Sequence, residues 1–372
     1  MKDPNIYKLL TPGPLTTSLE VREAMLIDRC TWDDDYKEMT QEIRRSLLKL
    51  AHAGSKEYTA VLMQGSGTFG VESVLSSIPS KDDTVLVLVN GAYSERMITI
   101  MEREGVAHER LDFAWDEVPD AGKLGEYLDA HPEVTFVSMV HSETTSGILN
   151  DIESVGREVK KRSLKLVVDA MSSFGAVDID VPEIGIDFLI SSANKCIQGV
   201  PGFSFIIARR ALLEASKGNA RTLSLDLYDQ YETMERDGGK WRFTSPTHVV
   251  AAFCAALHGL KEEGGVKARF SRYEENEEAL REGMKDLGFK PFIKRKHQGP
   301  IITTFLYPEG VKIDFKDMHS YLKRHGYVIY PGKLTKADSF RLGNIGEIYE
   351  EDVKNILWLF KKYLGKLTSS PL

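Results

Sequence analysis

The sequence predicts an α/β fold: a mainly parallel, doubly wound sheet in a large unit, with a smaller α+β unit beside it. Three observations carry that expectation. Short apolar runs alternate with amphipathic helical patterns up to about residue 210. The runs are apolar on both faces, as strands covered by helices on either side must be. The chain also has 372 residues, more than the roughly 250–300 at which a single core stops growing, and its pattern changes after about residue 250.

Residues 1–20 read as an extended arm, because Pro12-Gly13-Pro14 cannot be helical. Residues 39–52 carry apolar side chains at helical spacing. The strand candidates are Tyr58–Met63, Val85–Val89, Val134–Val140, Leu164–Val168, Phe188–Ile190 and Phe203–Ala208. Helical patterns at 70–78, 93–104, 121–130 and 152–163 separate several of them. The last two runs are close enough in sequence for an antiparallel pairing. Residues 248–286 read as helix, broken by Gly264-Gly265 into two. Strands follow at 300–307 and 327–330, with a helix at 316–325 between them and an amphipathic helix at 350–366. The expected division is an arm at 1–20 that joins the small domain, a large domain at 21–250 and a small domain at 251–372.

Composition narrows the function classes. Hydrophobic residues are 42% and charged residues 28% of the chain, an ordinary globular mixture. A formal charge of −7 argues against nucleic acid or an anionic membrane as partner, though a local cationic pocket is compatible with it. Cys30, Cys196 and Cys254 are too scattered for a disulfide framework or zinc site, and the histidines lack metal-ligand spacing. No metal is expected. The first residues hold no apolar core of signal-peptide length, since Pro4, Pro12 and Pro14 interrupt them. No apolar run approaches the roughly 20 residues that span a bilayer. A cytoplasmic location is the expectation.

Three features can do chemistry. Gly65-Ser66-Gly67-Thr68-Phe69-Gly70 follows a strand and opens a helix. It matches a dinucleotide fingerprint in form, but Asn90 stands where that reading needs an acid. What remains is an anion site at a helix N-terminus, with Ser66 and Thr68 as added donors, or an ordinary capped helix start. Asp169 ends a buried strand, at the edge where open α/β sheets bind ligands; strand-end acids also cap helices. Lys195 lies between an apolar strand and a Gly/Pro-rich turn. A buried ammonium there is costly unless its pKa falls or it is consumed covalently, as in a Schiff base. Together, a phosphate cradle, a strand-end aspartate and a lysine are the parts that a pyridoxal-phosphate site requires. No G-x-x-x-x-G-K-[ST] motif or serine-triad spacing competes with that reading.

At these residues the chain resembles the class V aminotransferase group of fold-type I pyridoxal-phosphate enzymes. The resemblance runs through Leu10–Ser18, Cys30–Tyr36, Gln64–Thr68, Asn90–Tyr93, Met139–Gly147 and Val168–Gly175. It continues in Ser191–Gly202, Leu223–Tyr228, Lys240–His248, Tyr330–Lys333 and Phe340–Gly346, while 229–240 follows the group only loosely and Leu342 replaces a common isoleucine. It implies a seven-stranded, mainly parallel sheet in the large domain. It further implies that Ser66, Gly67 and Thr68 hold the phosphate, Tyr93 lies on the pyridine ring and Thr145 bonds the ring's phenolic oxygen or atoms next to it. Asp169 would pair with the ring nitrogen and Lys195 with the aldehyde carbon. Thr244 would reach the phosphate of a neighbouring subunit, giving a homodimer with shared sites. Arg341 would clamp the substrate anion, with Arg242 and Trp32 as further substrate-binding candidates. The activity implied is amino transfer from 2-aminoethylphosphonate to pyruvate in phosphonate catabolism; the alternative is an alanine– or serine–glyoxylate transamination.

Overall fold

The computed structural model describes residues 6–334 and 338–369. Its central sheet has seven strands, in the spatial order Tyr58–Gln64, Phe203–Arg209, Phe188–Ser192, Lys165–Asp169, Val134–Val140, Thr84–Val89 and His108–Asp112. Phe203–Arg209 runs antiparallel to both of its neighbours; the other pairings are parallel. Its direction follows from its connection, because only the turn bearing Lys195 separates it from Phe188–Ser192, and a parallel return needs a longer crossover. All six expected runs are strands. The seventh, His108–Asp112, carries a single apolar residue, Leu111. As an edge strand it shows its charged side chains to water, so it lacks the two-sided apolar pattern.

Helices cover both faces. Gly67–Ser77 lies directly on the sheet: a Cβ on Gly70 would come within 2.6 Å of Ser204 Oγ. The third glycine of the motif thus serves helix–sheet packing. Asp34–Leu50 starts earlier than its apolar periodicity suggested, because its first turn holds Asp34 and Asp35, acids that suit a helix N-terminus but carry no apolar signal. The core between helices and sheet includes Val85 to Val89 and Leu166 to Val168, all buried. Each such side chain stabilises the fold by about 1.5–3 kcal/mol.

A second, five-stranded sheet has the order Lys8–Leu10, Tyr327–Pro331, Ser339–Gly343, Ile302–Leu306 and Lys290–Pro291. Phe289, Phe305, Phe340 and Phe360 pack in its separate core. Ser339–Gly343 was not anticipated, since Arg341 interrupts its apolar run. Thr247–Glu263 and Gly265–Asp286 do part at Gly264, which has φ +110°. In the arm, Lys8–Leu10 pairs in parallel with Tyr327–Ile329. Extended chain ends earlier than expected, because Ser18 caps a helix over Leu19–Glu23. Leu227–Arg236, within the loosely matching segment, is a helix capped by Asp226. Among the described residues no helix is long and apolar enough to cross a membrane.

Candidate active site

The parallel strands end level with one another: Val140 is opposite Asp169, and Asp169 opposite Ile190. At that carboxyl edge lies a cavity of about 200 Å³, walled by Ser66, Gly67, Thr68, Tyr93, Asp169 and Lys195 among others. Residues far apart in sequence meet because each closes a different strand or opens the helix after it.

Ser66 occupies the N-cap position of Gly67–Ser77, yet its side chain makes no capping hydrogen bond. Its hydroxyl and the N–H groups of Gly67 and Thr68 are therefore available to an anion, while Phe69 N–H is bonded to Ser66 O. Arg96 Nη1 donates to Thr68 Oγ1 at 2.9 Å and brings a positive charge to the same wall. Arg96 was missed in the sequence, although it lies three residues after Tyr93 and so on the same helix face. Its guanidinium stands 4.8 Å from the Tyr93 ring centroid.

Asp169 is only 4% exposed. Its carboxylate accepts a hydrogen bond from Met171 N at 2.8 Å, and no ion pair engages it among the described residues. Burial pushes its pKa up to about 6; the charge of Glu143 adds to the shift, while Met171 N–H, Lys195 and Arg96 oppose it. Glu143, also buried, accepts hydrogen bonds from Thr145 N and Oγ1, Tyr93 N and Ser94 N. It thereby anchors the first turn of Ala92–Glu104 and, with it, the Tyr93 ring.

Lys195 Nζ donates to Pro12 O at 2.6 Å, so the arm closes over it. Burial lowers the lysine's pKa, against the opposing charges of Tyr93, Cys196 and Asp169. For Tyr93, burial alone would raise the phenol. The Thr144 hydrogen bond and the charges of Lys195, Lys333 and Arg341 outweigh it and bring the pKa below its ordinary value.

Not every expected residue is at this cavity. Thr145 is fully buried with its hydroxyl bonded to Glu143 at 2.6 Å, and its neighbour Thr144 faces the cavity instead. In that tight turn adjacent side chains point to different sides. Arg242 is committed elsewhere, donating to Leu223 O and Asp226 O at 2.9 and 3.2 Å and pairing with Asp229 at 3.4 Å. Trp32, 68% exposed, lies between Lys37 and Lys240, away from this chain's cavity. Thr244 is exposed and likewise outside it. Arg341 is fully buried behind the wall. Its Nε donates to Pro331 O and its Nη1 to Thr144 O, both at 2.9 Å, while Nη2 has no partner.

Residues 31–342 match the family model of class-V aminotransferases, and the chain belongs to that family. Among curated relatives, the 2-aminoethylphosphonate–pyruvate transaminase of Lysinibacillus sphaericus is 52% identical, over 96% of this chain and 97% of its own. The transaminase of the same name from Bacteroides fragilis is 54% identical, over 94% and 97%. Among solved structures, pyridoxamine–pyruvate aminotransferase from Mesorhizobium loti superposes with a TM-score of 0.89 at 22% identity, covering 100% of this chain and 95% of that one. Alanine–glyoxylate aminotransferase from Nostoc sp. gives 0.87 at 24%, covering 98% and 96%. At such identities these two structures speak for the fold alone.

Pyridoxal phosphate is the cofactor of the family. The residues present fit it: a donor-rich helix start, a buried carboxylate without a cationic partner, an aromatic wall and an amine of lowered pKa share one cavity.

An unpaired buried carboxylate is a burden on the fold when no ligand cation balances it. Since Asp169 has a higher pKa folded than its ordinary 3.8, the native state holds the extra proton between about pH 4 and pH 6. Stability therefore declines as pH rises through that window. In cofactor-stripped protein, Asp169→Asn should raise the melting temperature at neutral pH, by a free energy on the order of 2–3 kcal/mol, with the advantage vanishing near pH 4. Thermal melts of both proteins across pH check this; a variant that melts lower at pH 7 contradicts it.

Proposed function

We propose that this chain transfers the amino group of 2-aminoethylphosphonate to pyruvate, giving phosphonoacetaldehyde and L-alanine. The observation that carries the reading is Arg341: a fully buried guanidinium with one nitrogen unpartnered, bonded to the cavity wall at Thr144. Both substrates are anions, and a planar fork can bond two oxygens of either a phosphonate or a carboxylate. The agreement of the curated relatives supports the same substrates. Free thiols at Cys30, Cys196 and Cys254 accord with a cytoplasmic location.

Pyridoxal phosphate, when bound, withdraws electrons from the carbon that bears the transferred amino group. Ser66, the Gly67 N–H and Thr68 would hold its phosphate, Asp169 its ring nitrogen and Tyr93 its ring face. Lys195 would carry it through Nζ. Once the substrate's amine displaces it, Nζ is an amine again and would take the proton from the reacting carbon and return it on the other side of the exchange; burial, which lowers its pKa, favours the neutral form that this needs. Asp169 would hold the ring nitrogen's proton in place by a charge-assisted bond.

An amine-donor screen of the loaded enzyme tests the function directly. With pyruvate as acceptor, 2-aminoethylphosphonate should give the highest kcat/KM. A preference for serine or alanine, with glyoxylate as acceptor, would move the chain to the glyoxylate transaminases.

For the clamp, Arg341→Ala should lower kcat/KM at least about tenfold in both half-reactions, equivalent to about 1.4 kcal/mol. The absorbance spectrum of the bound cofactor should stay unchanged, and Arg341→Lys should recover only part of the loss. Unimpaired half-reactions would take Arg341 out of the mechanism.

The active unit is a homodimer with shared sites. Phe69, beside the cradle, is an exposed large apolar side chain, as are Leu26, Ile27, Trp32 and Phe243, and Thr244 sits next to the last of them. If Thr244 serves the partner's cavity, hybrids of Lys195→Ala and Thr244→Ala subunits contain one fully wild-type site. Co-expression should then restore activity toward one site per dimer. Hybrids no better than the two parents mixed without exchange would place Thr244 in its own subunit's site.

A further inference from the structure

Behind the cavity wall, against Tyr93, stands a further cation that has no part in the chemistry described above. Lys333 follows the strand Tyr327–Pro331, whose Tyr330 pairs in register with Arg341. Its position is closely set, since Gly332 N bonds Ser339 O at 3.1 Å and a Cβ on Gly332 would collide with the Ser339 backbone. From there Lys333 Nζ reaches within 3.4 Å of Tyr93 Oη and 4.5 Å of the Tyr93 ring centroid. Tyr93 lines the cavity. Among the described residues no carboxylate forms an ion pair with Lys333 or with Arg341, and the charges of both act on the Tyr93 phenol.

The proposed substrates differ in what they ask of such a site. A carboxylate offers two oxygens and one charge, which a single guanidinium satisfies. A phosphonate offers three oxygens and up to two charges, so one guanidinium leaves an oxygen and a charge unmatched. An ammonium is a compact point charge that can meet the remaining oxygen without demanding planar geometry. We propose that Lys333 is the specificity-determining second cation of the substrate anion site, matched to a dianionic phosphonate where Arg341 alone serves a carboxylate. The inference rests on the function proposed above.

Lys333→Met keeps the length of the stem and removes the charge; Lys333→Arg keeps the charge. Half-reactions of the loaded enzymes with 2-aminoethylphosphonate and with L-alanine, followed by rapid mixing from about pH 6 to pH 9, separate the roles. In Lys333→Met, kcat/KM for the phosphonate should fall at least ten times further than kcat/KM for alanine. In the wild type, the phosphonate-to-alanine ratio should climb as the second phosphonate proton is lost, and in Lys333→Met that climb should flatten. Lys333→Arg should keep most of the ratio. The alanine reaction corrects for ionisations of the enzyme itself. Equal losses in both half-reactions would reduce Lys333 to a support for the Tyr93 ring and overturn the proposal. So would a phosphonate-to-alanine ratio that keeps its wild-type pH profile in Lys333→Met. A wild type that fails to use the phosphonate at all would instead overturn the functional reading, and this inference with it.

Discussion

Two carboxylates, Asp169 and Glu143, are buried at one sheet edge, and much of the site can be understood as the answer to the cost of taking them out of water. Neither can be solvated, so each needs donors from the protein or from a ligand. Glu143 receives them in full from Thr145 and from the start of Ala92–Glu104. Asp169 receives one backbone N–H. The asymmetry divides their work. The satisfied acid fixes a helix, and thereby Tyr93 and Arg96; the unsatisfied one is held in reserve for a cation that the chain itself does not supply.

The same economy of position governs the cations. Lys195 and Arg96 come to the cavity from a turn and a helix, while Arg341, from the second sheet, and Lys333, from the loop after Tyr327–Pro331, stand behind its Thr144 and Tyr93 wall. Their direct partners are backbone carbonyls, hydroxyls or aromatic rings in place of carboxylates, so their charge stays available to an anion. A cavity so lined has a net appetite for anions although the chain as a whole carries a charge of −7. Local field and total charge are separate properties, and only the local one concerns a small substrate.

What could be read from the sequence follows from how each residue is fixed. Asp169 and Lys195 were legible because a polar residue directly after an apolar run marks a strand end, and Gly65 to Gly70 because glycines and hydroxyls at a strand–helix junction are local signals. Arg341 was legible only through family likeness; by pattern alone it hid the strand that bears it. Thr144 and Thr145 could not be told apart, since facing in a tight turn is settled by the hydrogen bonds of Glu143, a contact made across the fold. Arg96 and Lys333 sit on ordinary polar positions of a helix and a loop, and only the approach of Tyr93 sets them apart. Arg242 and Trp32 lie outside this chain's own cavity: their motif was visible, but the contacts that place them, with Asp229 for one and two lysines for the other, are made only on folding.

The arm meets the larger body at the Lys195 amine and again where Leu15 packs with Ala176 and Cys196. Lys8–Leu10 is an edge strand of the second sheet, and a short step later Pro12 O receives the amine of Lys195. The lysine is rooted in the first sheet but moored to the second. Its reach is therefore set by the spacing of two hydrophobic bodies as much as by its own turn, like a plumb line hung from the opposite wall. Whatever releases that amine from Pro12 also frees one of the arm's holds on the larger body.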